Sequence, residues 1–384
     1  MVVTPPVSRS ISLICLTAWF CAPLVLSFVA TRNDGQGNAP FRSTSSIKTY
    51  LFKSIFDLKE PPTSPSVVCV GETLYDSLPD GIFLGGAPTN VAVHLASLGV
   101  PTAVVSCVGN DQLGKEVVRR IAARNVDTNY MQFHQELHTG IVVASIDEAG
   151  DATYNFDTPA AWDCIKFAYK LKRIVETANV TVIGSLACRL GSTKGASSAK
   201  TISTLRNMAS KDTIVMDVNL RPPWYDPEFV LALCRGEKDS NELALFKLND
   251  EELPIVESWC GLKSAGELSG ESLKQRLAAL GKAVNAGRVC VTRGANGAAL
   301  WCRNNDRETF VENAGYSCEA QQGSDTVGAG DSFLAALVRS LFLEGEPAEK
   351  ALERACALGG FVASCRGATP DHSNAPKELR KIFA

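Results

Sequence analysis

Asp325-Thr326-Val327-Gly328-Ala329-Gly330-Asp331 runs straight into the apolar helical spacing of Ser332 to Leu343. Residues this small let backbone N–H groups at a helix N-terminus converge on an anion, and the amides of Val327, Gly328, Ala329 and Gly330 would form that hole. The carboxylate of Asp331 stands where it can take a proton from a hydroxyl attacking the same anion. This suits phosphoryl transfer to an alcohol, a reaction in which positioning and charge stabilisation dominate, so a base, anion-binding amides and a metal site suffice. The structural alternative is a tight connection before a helix, with Asp331 an ordinary first-turn carboxylate.

A second segment, Gly85-Gly86-Ala87-Pro88-Thr89-Asn90-Val91-Ala92, is followed at set distances by Gly99 and Gly109. With Asp325 to Asp331 it resembles the paired signatures of the ribokinase-like (PfkB) carbohydrate kinases. Further segments agree in order: Val67 to Glu72 with Asp76, Asp217-Val218-Asn219-Leu220-Arg221, Lys247 to Glu252, Val291-Thr292-Arg293-Gly294 and Arg366-Gly367-Ala368. The resemblance spans about residue 66 to the C-terminus and implies an ATP-dependent sugar kinase, closest in look to fructokinases. It implies that Asp76 and Asn90 hold sugar hydroxyls, with Gly86 allowing close backbone approach; a carboxylate and a carboxamide together accept from and donate to vicinal hydroxyls. Phe83, Phe156 and Trp162 are further candidates for contact with the sugar. Asn249 and Glu252 match an N-x-x-E element beside the ATP phosphates, with Glu252 ordering Mg²⁺ through water. Asn219 would reach the phosphates, Thr292 and Gly294 would border the nucleotide, and Asp325 matches a site for a monovalent cation such as K⁺. Each has a plainer reading: a turn at Asp76, helix-start residues at Asn90, Asn249 and Glu252.

Those groups need a scaffold. Short apolar runs at Val67–Gly71, Thr102–Val108, Val180–Gly184, Thr213–Asp217, Leu243–Leu248 and Val289–Thr292 read as buried strands. Between them, helical spacing covers Pro88–Leu98, Gln112–Arg124, Cys164–Thr177, Thr193–Ala209, Pro227–Cys234, Asp250–Trp259 and Gly270–Asn285. The order predicts an α/β fold, a central, mostly parallel sheet with helices on both faces. Thr139–Ile146 and Ala152–Phe156 alternate as strands, and Gly81–Leu84 is strand-like. In the ribokinase-like family such insertions build a small β-sheet lid over the sugar, here about 81–87 and 138–157.

The chain has 384 residues, an apolar share of 45% and a formal charge of −3, which fit a globular protein. Six Lys/Arg against three Asp/Glu fall in residues 1–62, leaving the rest mildly acidic, without the basic stripe that nucleic acid requires. Ile11 to Ala30 carries no charge and follows Arg9, which reads as a signal-like targeting segment over 1–30. Residues 31–62, rich in Ser and Thr, read as a transit peptide or linker. Phe28 after Val25-Leu26-Ser27 makes the pair similar to two-part plastid presequences. The kinase domain, 63–384, is expected not to be membrane-bound. Thirteen cysteines are scattered and odd in number, and the four histidines are not spaced for zinc, so buried reduced thiols are expected. The expected partners are a sugar and ATP, with a homodimer among the assemblies left open. A Rossmann oxidoreductase is disfavoured because Gly71 is followed by Glu72-Thr73-Leu74 rather than G-x-G-x-x-G, and no P-loop or G-x-S-x-G elbow occurs. The remaining alternatives are a catalytically silent kinase fold serving as a plastid assembly partner, or a kinase of ribose or 2-keto-3-deoxygluconate.

Overall fold

The computed structural model describes residues 64–384 apart from 79–80, 147–151, 238–240, 265, 305–306 and 322–323. The signal-like segment and the linker lie outside the described residues. The strands, in chain order, are β1 (Val67–Val70), β2 (Leu74–Leu78), β3 (Gly81–Gly85), β4 (Thr102–Gly109), β5 (Met131–His134), β6 (Gly140–Ile146), β7 (Ala152–Phe156), β8 (Val180–Gly184), β9 (Ile214–Asp217), β10 (Leu245–Asn249), β11 (Arg288–Thr292), β12 (Ala298–Asn304) and β13 (Arg307–Asn313). The α-helices are α1 (Ala87–Ser97), α2 (Gln112–Ala123), α3 (Tyr169–Thr177), α4 (Ser198–Met208), α5 (Pro227–Arg235), α6 (Glu252–Trp259), α7 (Gly270–Val284), α8 (Ala329–Val338), α9 (Ala348–Ala363) and α10 (Lys377–Phe383).

Nine strands form one sheet in the order β13-β12-β11-β10-β9-β8-β1-β4-β5. All pairs from β5 to β11 are parallel, and β12 and β13 are added antiparallel. Side chains alternate along each strand, so the sheet feeds two cores. Val68, Val70, Ile183, Met216 and Phe246 pack on one face under α3 to α7. Val67, Cys69, Val182, Val215 and Leu245 pack on the other, with residues of α1, α2, α8 and α9. Burying both faces is what permits near-continuous apolar strands. The remaining strands form a separate sheet, β3-β2-β6-β7.

The chain leaves β1 for β4 on one side and returns to β8 on the other, so the strand order reverses at β1. In open α/β sheets, ligands bind beyond the carboxyl ends of the strands at such a reversal.

Two expected helices are shorter than their periodicity suggested. Cys164–Thr177 resolves into a 3₁₀ turn, Ala161–Cys164, and a helix that starts only at Tyr169. Between them, Ser198 Oγ takes the Ile165 amide at 2.8 Å and Gln132 Oε1 the Lys166 amide at 2.9 Å. Thr193–Ala209 begins at Ser198 because Lys194, at φ 52°, and Gly195, at φ 75°, turn the chain away from helix. The β12–β13 hairpin lay outside the expected strands altogether. Among the described residues, no helix is long and apolar enough to cross a membrane.

Candidate active site

Helices α1 and α8 pack side by side; the N-terminus of α1 meets the carboxyl ends of β1, β8 and β9, with Ala87 and Pro88 beside Gly71, Gly184 and Asp217, and that of α8 faces Lys247 on β10. Each starts from a glycine in the left-handed region: Gly86 at φ 100° and Gly328 at φ 79°. A Cβ on Gly86 would lie 2.4 Å from the Glu72 carbonyl oxygen, and one on Gly328 2.4 Å from that of Ala368. Neither turn has room for a side chain. Asn90, on the first turn of α1, donates from Nδ2 to Oδ2 of Asp331 on the first turn of α8 at 2.8 Å. Two distant segments of the sequence thus meet through the side chains singled out in them.

On the acceptor side, Asp76 lies within β2, not in a turn. Its register partners are Phe83 and Val142, and Val142 in turn faces Phe156, so these residues form one row across the small sheet. Residues paired this way share a face. Trp162, by contrast, is 1% exposed and packs beneath Arg189 rather than lining the cleft. Glu72 had no assigned role, yet it takes the Ala87 amide on Oε1 at 3.1 Å while its Oε2 is buried without a partner. Burial pushes Glu72 up to about 7, aided by the Asp331 charge and opposed by backbone hydrogen bonds and Arg221. Burial and the Asp331 charge push Asp76 up to about 7 as well. Asp331 itself is pushed up to about 6, chiefly by burial, against the Asn90 hydrogen bond and the Lys247 and Arg221 charges.

On the phosphate side, of the four amides expected to form the anion hole, two are already engaged: Val327 donates to Asp325 Oδ1 at 3.0 Å and Ala329 to the Thr326 carbonyl at 3.3 Å. First-turn amides such as those of Gly330 and Asp331 have no acceptor within a helix and face outward. Lys247 comes within 3.1 Å of where a Gly330 Cβ would sit, placing an ammonium against the same turn. It is 6% exposed and donates to Asp217 Oδ2 at 2.8 Å. Burial lowers its proton affinity, but the Asp217 and Glu252 charges more than compensate and the net direction is upward. Lys247 and Asp217 are register partners on β10 and β9. A lysine inside the apolar run Phe246-Lys247-Leu248 was the signal available for it, since lysines are almost never buried unpaired.

Asn249 and Glu252 form a reciprocal cap: Glu252 Oε2 accepts the Asn249 amide and Asn249 Oδ1 the Glu252 amide, both at 2.8 Å. Glu252 Oε1 also accepts the Leu220 amide at 2.7 Å. The carboxylate therefore clamps the loop after β9, in which Asn219 holds φ 40°. Burial raises Glu252, and the Asp217 charge adds to it. Thr292 ends β11 directly beside Asn249, and Gly294 opens the turn beyond it. Asp325 joins the loop ahead of α8 to the one after α9, its Oδ2 accepting the Gly367 amide at 3.1 Å. Among the described residues, no cluster of three or more His, Cys, Asp or Glu converges to grip an ion directly. Asp217 Oδ1 is buried without a partner, and Asp217 and Asn219 line a small pocket at the strand ends. That orphaned oxygen beside the Glu252 clamp is a fit for the water shell of a phosphate-bound magnesium ion, which keeps several waters.

Fold and site together define an ATP-dependent sugar kinase. The chain belongs to the pfkB family of carbohydrate kinases, whose pattern matches residues 81–375. It is 27% identical over 319 residues to a fructokinase of Escherichia coli, covering 79% of this chain and 95% of that one. To a fructokinase of Salmonella typhimurium it is 25% identical over 310 residues, covering 78% and 93%. Among solved structures, an uncharacterised sugar kinase of Pyrococcus horikoshii in complex with ATP superposes with a TM-score of 0.61. Its identity is 25%, and the match covers 82% of this chain and 99% of that one.

Proposed function

We propose that this kinase transfers the γ-phosphate of ATP to a hydroxyl of a neutral free sugar, fructose first among the candidates, with Asp331 as the general base. The observation that carries the reading is the Asn90–Asp331 hydrogen bond, which joins the first turns of α1 and α8 and so brings the two signature segments together. The hydroxyl oxygen bonds to the γ-phosphorus, the bond from that phosphorus to the bridging oxygen of ADP breaks, and the hydroxyl proton goes to Asp331. The Gly328 to Gly330 turn and Lys247 take the charge of the transferring group. Magnesium, when bound with the nucleotide, neutralises phosphate charge. Glu252 and Asp217 would order its waters, and Asp325 would hold a monovalent cation.

Neutrality of the acceptor follows from charge. Asp76 and Asp331, with the fully buried Glu72 close enough to feel the Asp331 charge, are all attracted to one guanidinium, that of Arg221. A sugar acid or sugar phosphate would bring a further negative charge into this setting. The choice of fructose leans on the fructokinase relatives. Purified protein with ATP and a panel of sugars, sugar phosphates and nucleosides tests it through ADP release. A preference for ribose, adenosine or 2-keto-3-deoxygluconate would sink fructose and spare the kinase.

A further inference from the structure

Arg189 and Asp163 form the most enclosed ion pair among the described residues, with both side chains 0% exposed. Arg189 donates from Nε to Asp163 Oδ1 at 3.0 Å and from Nη2 to Oδ2 at 2.9 Å. Nη2 also donates to the carbonyl of Asp157 at 2.6 Å, one residue beyond the end of β7. The guanidinium carbon lies 3.9 Å from the ring centre of Trp162, 5.0 Å from that of Trp224 and 5.6 Å from that of Phe156. Nη1 is buried with no acceptor, and ring faces take the place of one.

A buried ion pair is a poor device for plain stability, because desolvation cancels most of the attraction. Its position suggests another task. Arg189 sits in the loop after β8, its aromatic box draws on the end of β7, the turn after it and the loop after β9, and Trp224 stands three residues beyond Arg221. Phe156 shares its row with Asp76 across β6. One side chain therefore ties the edge of the small sheet to the strand ends that carry the reaction.

We propose that Arg189 is a positioning residue, a latch that holds the small sheet at one height and tilt so that Asp76 meets the sugar in a single pose. The inference rests on the acceptor-side reading above. Arg189 acts through Asp157 and Phe156, and a planar, forked cation is needed to hold both carboxylate oxygens, a carbonyl and a ring face together. Lysine keeps the charge and loses that geometry.

The test compares full-length wild type with Arg189→Lys. The kcat/KM for the sugar should fall about 10–100-fold, since misplacement of about 1 Å can cost up to that much in rate. The KM for ATP should stay within about twofold, and sugar-independent ATP hydrolysis should rise as water reaches Asp331. Hydrogen exchange supplies a readout that needs no turnover: amides of β6 and β7 should exchange about tenfold faster while β8 to β11 stay unchanged. A wild type that phosphorylates no sugar would defeat the acceptor assignment and leave exchange to decide the latch. Unchanged exchange in β6 and β7, or a KM for ATP that changes as much as the kcat/KM for the sugar, would overturn it. Should Arg189→Lys fail to fold, Asp163→Asn removes the charge partner at nearly constant volume and is held to the same outcomes.

Discussion

Replacing Asp331 with asparagine separates catalysis from stability in opposite directions. Asp331 is half-buried on the first turn of α8, with its ionisation pushed from 3.8 up to about 6. At pH 7.5 roughly 97% of it is the carboxylate, the form that accepts a proton, and by pH 5 only about 9% is. The wild-type kcat/KM should therefore drop about tenfold between those values. The variant keeps shape and can still accept the Asn90 hydrogen bond, but has no basic oxygen, so turnover should fall about 10²–10⁴-fold and lose its acid limb. A raised carboxyl ionisation means that the charged form is disfavoured in the fold. The associated stability is complete below the unfolded value of 3.8 and is lost as pH rises through about 6. A shift of about two units corresponds to about 3 kcal/mol, so at pH 7.5 the variant should be the more stable protein by up to that amount. Near pH 3.5 the two should melt together. Coupled ADP release across pH 5–8 and thermal melts at both extremes give the answer. Near-normal turnover in a folded variant, or a lower melting temperature at pH 7.5, would refute the reasoning.

Glu252→Gln is expected to lower stability by about 1–3 kcal/mol, because an amide cannot accept from both the Leu220 and Asn249 N–H groups. It should also raise the magnesium needed for half-maximal rate; an unchanged requirement would reduce Glu252 to a backbone clamp. His94 and His372 share a 2.9 Å buried hydrogen bond, and burial lowers them to about 3 and about 4. Their neutral forms stabilise the fold above the unfolded value of about 6.5, and each loses about 1.4 kcal/mol per pH unit as pH falls below it. Denaturant unfolding of wild type and His372→Gln between pH 7.5 and 4.5 should show the wild type losing the more, and parallel curves would exclude the effect. Residues 1–62, proposed to direct import to a plastid, should carry a fluorescent fusion into an organelle; diffuse cytosolic signal with the full-length chain would end that proposal.

The buried parallel strands were legible because apolar runs such as Val67–Val70 and Val180–Gly184 are fully buried on both faces. The glycines opening α1 and α8 were legible too, since their turns admit no side chain. What escaped is what depends on strand register and on distant partners. Lys247 and Asp217 become neighbours only once β10 is set against β9. The overlong helix at Cys164–Thr177 was broken by Ser198 and Gln132, residues remote in sequence that bind its amides. Helical spacing carries no record of such competition. The Arg189 box draws on several segments, and no one of them announces it. The N-x-x-E spacing was visible, but a capping box shares it, and here Glu252 accepts the Asn249 amide as a cap and the Leu220 amide of the loop after β9 at once.

Glu72 and Asp76 near 7, with Asp331 near 6, give the acceptor end of the cleft a store of exchangeable hydrogen ions in the range where cells live. A sugar that displaces water there and donates hydrogen bonds to carboxylate oxygens would redistribute that store, making its binding constant a function of acidity rather than a fixed property. Calorimetric heats should then differ between buffers of unlike ionisation enthalpy, even at one pH. Sugar binding by this kinase would then follow the acidity around it, through Asp76 and Asp331 at the proposed acceptor position and Glu72 buried within reach of the Asp331 charge.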